Sequence, residues 1–131
     1  MTALGLATRT GAMVSAGAEW VAGYVAAWES NDPEQIGALF SDDAVYLTSP
    51  DAEPRRGRQQ IVAGWLEDFD EPDTWAFDWR LVHEDEGFVV VQGRTEYRAD
   101  KDYLNLWIIR LDADGRATEF TEWYMPRPHK D

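Results

Sequence analysis

Four polar side chains, Gln92, Arg94, Asn105 and Glu122, stand among large rings in the C-terminal half of the chain. They fall in alternating runs that read as strands, and side chains two apart on a strand share a face. If Trp107 points inward, so do Tyr103, Asn105 and Ile109. The neighbouring strands would then contribute Val90, Gln92 and Arg94 on one side and Phe120, Glu122 and Tyr124 on the other. Trp75, Phe77 and Trp79 would line the first long strand. Polar groups on a buried face need partners. Either Arg94 and Glu122 pair with each other as an internal prop, or the set anchors a ligand, with Glu122 available as an acid or base. A slip of one residue would exchange the two faces.

Other chemistry has little support. The chain has no Cys, which removes thiol nucleophiles, disulfides and thiolate metal sites. Its two histidines are dispersed: His83 sits in an acidic tip with Glu84, Asp85 and Glu86, and His129 lies in the tail. Neither has the spacing of a metal ligand set. The acidic stretch 67–73 reads as a solvated face. The glycines form no phosphate loop and no Gly-x-Ser-x-Gly elbow, so neither metal nor nucleotide cofactor is implied.

The elements that must position these residues can be placed by periodicity. Trp20, Tyr24 and Trp28, with Val21 and Val25, give one apolar helical face from about Ala18 to Ser30. Asp32-Pro33-Glu34-Gln35 starts a short second helix, with Asp32 as its cap and Pro33 at the first turn. Ile36, Leu39 and Phe40 supply its buried side. Ser41-Asp42-Asp43 ends it, residues 44–48 form a short strand, and the stretch from Ser49 to Arg56, with Pro50 and Pro54, reads as a loop. Ile61, Trp65 and Phe69 mark a third helix from Arg58. Strands follow over 75–83, 88–97, 103–111 and 116–125, with Asp114-Gly115 as a turn pair. Three helices and an early strand followed by an antiparallel meander make an α+β domain.

Composition sets the outer bounds. At 131 residues there is room for one domain, placed at 19–126, between a flexible lead-in (1–18) and a short tail (127–131). Seven Trp, five Tyr and five Phe exceed what filling a core of this size demands, so rigid rings can leave a shaped gap. A net charge of −13, with no basic stripe, argues against nucleic acid and anionic membrane as partners. No window is long and apolar enough to span a bilayer, and a cytoplasmic location is the expectation. Val89, Val91, Leu104, Leu106, Ile108 and Trp123 would form an apolar outer sheet face, and a sheet-to-sheet homodimer would cover it.

The runs Gly23-Tyr24-Val25-Ala26-Ala27-Trp28 and Ala38-Leu39-Phe40-Ser41-Asp42-Asp43-Ala44-Val45-Tyr46 resemble the opening of the nuclear transport factor 2-like superfamily. The SnoaL-like branch and ketosteroid isomerase are similar here. Pro54-Arg55-Arg56-Gly57-Arg58 and the closing strand from Gly115 to Trp123 extend the likeness over roughly residues 20–125. The resemblance implies a cone, in which a curved antiparallel sheet wraps the helices and leaves a cavity at its open end. It also implies that Tyr24 is the phenol that donates to a developing oxyanion. At the positions of the isomerase's base and neutral acid stand Thr48 and Trp107, which can do neither job, so steroid isomerisation is disfavoured. Members of the superfamily include isomerases, dehydratases, epoxide hydrolases, polyketide cyclases and proteins that only bind or dimerise. The leading expectation is a binding protein for a small hydrophobic or partly polar molecule. Its chemical set is Tyr24, Glu122 and Arg94, and its lining is Trp28, Thr48, Trp79, Gln92, Asn105, Trp107 and Tyr124. A cofactor-independent isomerase, cyclase, dehydratase or hydrolase is the first alternative, and a non-catalytic dimeric interaction module the second.

Overall fold

The computed structural model describes residues 15–98 and 101–127. The lead-in through residue 14, His129 and the tail beyond Arg127 lie outside the described residues. Helix α1 spans Ala16–Ser30 and begins two residues before its apolar face, because the Ser15 side chain caps it by accepting the Ala18 amide. It ends at Asn31, whose left-handed backbone (φ 54°) suits a residue that tolerates positive φ. Helix α2, Pro33–Gly37, starts as read, with the Asp32 carboxylate accepting the Glu34 amide.

Strand β1 covers Phe40–Leu47. Leu39 and Phe40 are buried, but they lie beyond the helix they were expected to complete. Ser41-Asp42-Asp43 belongs to this strand and forms an irregularity in its pairing between Phe40 and Val45, so its polar composition marks a bulge and not a break. A two-residue strand β2, Arg55–Arg56, lies in the stretch read as loop and pairs antiparallel with Val45 and Tyr46. Helix α3 runs Arg58–Glu67, shorter than its apolar spacing suggests, and leaves Phe69 46% exposed beyond its end.

The remaining strands are β3 (Trp75–Asp85), β4 (Phe88–Tyr97), β5 (Tyr103–Leu111) and β6 (Ala117–Pro126). The six strands form one sheet in the order β2-β1-β6-β5-β4-β3. It is a mixed sheet: β1 runs parallel to β6, and all other neighbours are antiparallel. The parallel pair arises because α3 and the strands β2 to β5 intervene between β1 and its partner, the long connection that parallel strands require.

The core lies between α1 and the inner sheet face. Trp20, Tyr24 and Trp28 project from successive turns of the helix onto Phe120, Trp107 and Trp75, and the Trp28–Trp75 rings stack at 3.7 Å. Gly93 faces inward on β4, where a Cβ would lie 2.5 Å from the Phe77 ring. Its lack of a side chain lets Phe77 cross the sheet and stack on Trp107 at 4.9 Å.

Candidate functional site

A cavity of about 490 Å³ opens at one end of this core, between α1, α3, the C-terminal parts of β1, β4 and β6 and the start of β5. Tyr24 and Trp28 line it from α1, Tyr46 and Thr48 from the end of β1, and Trp65 from α3. Tyr97, Tyr103, Asn105, Glu122 and Tyr124 line it from the sheet. That volume suits a small organic molecule, and half of the lining residues carry rings, most of them tyrosines whose hydroxyls make the walls amphipathic. Tyr124, 57% exposed, stands at the rim.

The strongest chemical feature is the carboxylate of Glu122. Its Oε1 accepts the Tyr46 hydroxyl at 3.1 Å, and its Oε2 accepts the Trp107 indole N–H at 3.1 Å and the Asn105 amide at 3.5 Å. Asn105 is oriented from behind, since its Oδ1 accepts the buried Thr95 hydroxyl at 2.8 Å. These partners meet because register sets Trp107 opposite Glu122, and parallel pairing with β6 brings Tyr46 beside Phe120. Burial pushes the Glu122 carboxyl above its ordinary value, and the bonds from Trp107, Tyr46 and Asn105 only partly reverse this. Glu122 is therefore a carboxyl that gives up its proton less readily than a surface one.

Tyr24 reaches Glu122 only through Tyr46, with the two hydroxyls 3.2 Å apart. A phenol has one proton. When Glu122 is ionised Tyr46 donates to it, so Tyr24 must donate to Tyr46. What Tyr24 then offers the cavity is lone pairs. Burial first, and then neighbouring Tyr46 and Glu122, hold its hydroxyl well above the usual phenol value, so it stays protonated. Tyr46 is likewise raised, by burial and by Glu122.

A second carboxylate faces the same space. Asp70, in the turn after α3, accepts the Trp28 indole at 2.9 Å and the Tyr97 hydroxyl at 2.9 Å, both on Oδ2. Asn31 fixes this turn: its amide donates to the Asp70 carbonyl at 2.9 Å, and its Oδ1 accepts the Trp65 indole at 3.1 Å. The residue that terminates α1 thus also positions the wall of the cavity. Arg55, on β2, brings the one positive charge of the lining among the described residues, 5.6 Å from the centre of the Tyr46 ring. It crosses α3 at Gly64, where a Cβ would sit 2.6 Å from its Nε.

Of the residues expected at the site, Tyr24, Trp28, Thr48, Asn105, Glu122 and Tyr124 line the cavity. Trp107 lies fully buried behind Glu122 as its donor, and Trp79 packs partly buried against the core opposite Gly93. Arg94 and Gln92 require correction. Both are exposed on the outer face, where Arg94 pairs with Glu96 and Gln92 accepts from Arg80 at 2.6 Å. The inward residues of β4 are Val89, Val91, Gly93 and Thr95, opposite Ile109, Trp107, Asn105 and Tyr103. The slip exchanged the two faces of that one strand, so the Arg94–Glu122 pair does not form. Val89 and Val91 accordingly leave the outer face for the core. Tyr46, Asp70, Arg55, Trp65 and Tyr97 were missed. Only Tyr46 carried a signal, two residues before Thr48 on the same strand face.

Among the described residues no three His, Cys, Asp or Glu side chains gather as metal ligands, and no helix is long and apolar enough to cross a membrane.

The fold is shared with solved structures. An NTF-2 like protein of unknown function from Burkholderia xenovorans superposes with a TM-score of 0.71 at 15% identity, covering 88% of each chain. A steroid delta-isomerase from Pseudomonas aeruginosa gives 0.63 at 21%, covering 87% of this chain and 82% of the other. An LEH-like epoxide hydrolase from M. tuberculosis gives 0.60 at 15%, covering 84% and 83%. At these identities the likeness concerns the fold. No curated protein matches the sequence. The SnoaL-like domain model matches residues 21–125, which takes in every cavity residue named above, and the chain therefore belongs to the SnoaL-like domain family.

Proposed function

We propose that this protein binds a small, partly hydrophobic organic molecule in the cavity, with ring faces holding its apolar body and Glu122 anchoring a polar group. The observation that carries this reading is the Glu122 carboxylate, held by Tyr46, Trp107 and Asn105 yet opening onto a space of about 490 Å³. Three oriented donors around one partly buried carboxylate fix its position before any ligand arrives, and preorganisation of this kind lowers the cost of binding.

The raised Glu122 proton affinity favours proton transfer as a second reading. A carboxyl whose pKa is moved toward neutrality is suited to shuttle a proton on a bound substrate. Tyr24, being oriented as a donor toward Tyr46, is less suited to an oxyanion, so the isomerase role implied by resemblance loses support.

Displacement of a hydrophobic fluorescent dye, followed with a panel of small aromatic alcohols, ketones and amines, tests the binding reading. Expected is saturable displacement by at least one chemical class, weakened about tenfold or more in Glu122→Gln, the scale of one charge-assisted hydrogen bond. A folded Glu122→Gln variant with unchanged affinity for every compound would remove Glu122 from the account.

A further inference from the structure

We infer that the cavity is selective for a cationic, amine-bearing ligand, whose ammonium group sits between Glu122 and Asp70 with its apolar body against the rings. This rests on the binding reading above and names the class of ligand it concerns.

The first argument is the balance of donors and acceptors. The polar hydrogens nearest the two carboxylates are already engaged. The Trp107 N–H and Tyr46 hydroxyl donate to Glu122. The Trp28 N–H and Tyr97 hydroxyl donate to Asp70, and the Trp65 N–H donates to Asn31. Tyr24 directs its proton to Tyr46. The two carboxylates and the rings beside them therefore offer the space lone pairs and ring faces, while Arg55 and the hydroxyls of Thr48, Tyr103 and Tyr124 line the remainder. Asp70 takes both of its bonds on Oδ2, which leaves its Oδ1 outside them. At this end of the cavity a ligand that brings acceptors finds few partners, whereas an ammonium brings three donors and no acceptor.

The second argument is charge. Among the described residues the lining holds three carboxylates, Asp68, Asp70 and Glu122, against the single guanidinium of Arg55. Partial enclosure strengthens their field relative to water, and the overall charge of −13 favours the approach of cations. The third argument is the walls. Tyr24 lies with its ring centre 4.9 Å from that of Trp65 and 6.0 Å from that of Trp28, so the rings adjoin as a cluster whose negative faces attract a cation. A nearby positive charge would also favour ionisation of Glu122, which burial opposes.

Three probes with one ring and one two-carbon scale separate the possibilities: phenethylammonium, 2-phenylethanol and phenylacetate, titrated calorimetrically into the full chain at pH 7. The expected order is ammonium first, by roughly tenfold to a hundredfold over the alcohol, the range of one charge-assisted bond with cation–π support. Phenylacetate should bind weakest. Glu122→Gln and, independently, Asp70→Asn should each weaken the ammonium more than the alcohol and so shrink the ammonium preference. If the alcohol or phenylacetate binds as tightly as the ammonium, selectivity for cations is wrong and the cavity reading stands. If no probe of any charge binds and the dye assay is also silent, both fail. The ranking in the unaltered chain decides the matter even where a variant does not fold.

Discussion

Replacing Tyr46 and Tyr24 by Phe, singly and together, probes the hydrogen-bonded chain into Glu122. Tyr46 is 7% exposed and its hydroxyl serves both Glu122 at 3.1 Å and Tyr24 at 3.2 Å. Tyr46→Phe removes a charge-assisted bond, worth about 1.5–3 kcal/mol, and leaves the buried Tyr24 hydroxyl without this partner, at a further cost of about 1 kcal/mol or more. Loss of the buried Tyr46 hydroxyl itself offsets part of this, so a net destabilisation of about 2–3 kcal/mol is expected at pH 7. Tyr24→Phe removes only the neutral outer bond and should cost about 1 kcal/mol. In the double variant the Tyr24 hydroxyl is no longer stranded. Its total should fall below the sum of the singles by roughly 1 kcal/mol, as expected for residues sharing one network. Urea denaturation of the four proteins measures this cycle directly. Effects that add within about 0.3 kcal/mol would show that the two phenols are not coupled through their hydroxyls and would refute the directional chain.

Burial raises the Glu122 carboxyl, so the folded state holds this proton more tightly than the unfolded one. This contribution to stability is present in full below the ordinary carboxyl value of 4.5 and is lost as pH rises through the folded value. Relative to Glu122→Gln, the unaltered protein should therefore lose stability upward from about pH 4.5, by about 1.4 kcal/mol for each unit of elevation; a flat difference across pH 4–8 would contradict it. Gly93→Ala should cost about 1–3 kcal/mol, because its Cβ meets the Phe77 ring at 2.5 Å; a shift below 0.5 kcal/mol in urea would mean the ring moves freely. On the outer face Leu104 is paired with Met125 and Leu106 with Trp123, with Met125 62% and Trp123 43% exposed. A homodimer through this face predicts twice the monomer mass by light scattering at micromolar concentration and a monomer for Trp123→Glu. A monomer before substitution would dispose of the dimer.

How far the sequence disclosed this arrangement varied with the element. β5 was placed to its exact ends, and its facing was right, because Asn105, Trp107 and Ile109 alternate with Leu104, Leu106 and Ile108 and resemblance set Trp107 inward. On β4 the pattern Val89-Val90-Val91 is apolar on both faces and fixes no phase, so Gln92 and Arg94 were carried to the wrong side. Glu122 was placed with Asn105 and Trp107 beside it, but Arg94 was given as its partner where Tyr46 serves. Tyr46 meets it only through the parallel pairing of strands 76 residues apart in sequence at these positions, a non-local contact that no local pattern encodes. Asp70 looked like one more solvated acid in an acidic turn. Its engagement with Trp28 and Tyr97 depends on Asn31 drawing that turn against α1.

The central claim is that a molecule occupies the cavity with a polar group on Glu122. The most direct measurement is a high-resolution crystal structure of the protein purified without added ligand, paired with mass spectrometry of whatever is extracted from it. The account predicts continuous density of a small organic molecule between Trp28, Trp65 and Glu122, within hydrogen-bond distance of the Glu122 carboxylate and matching the extracted mass. An interior closed by its own side chains, with Glu122 bonded only to Tyr46, Trp107 and Asn105 and nothing extracted, would contradict it.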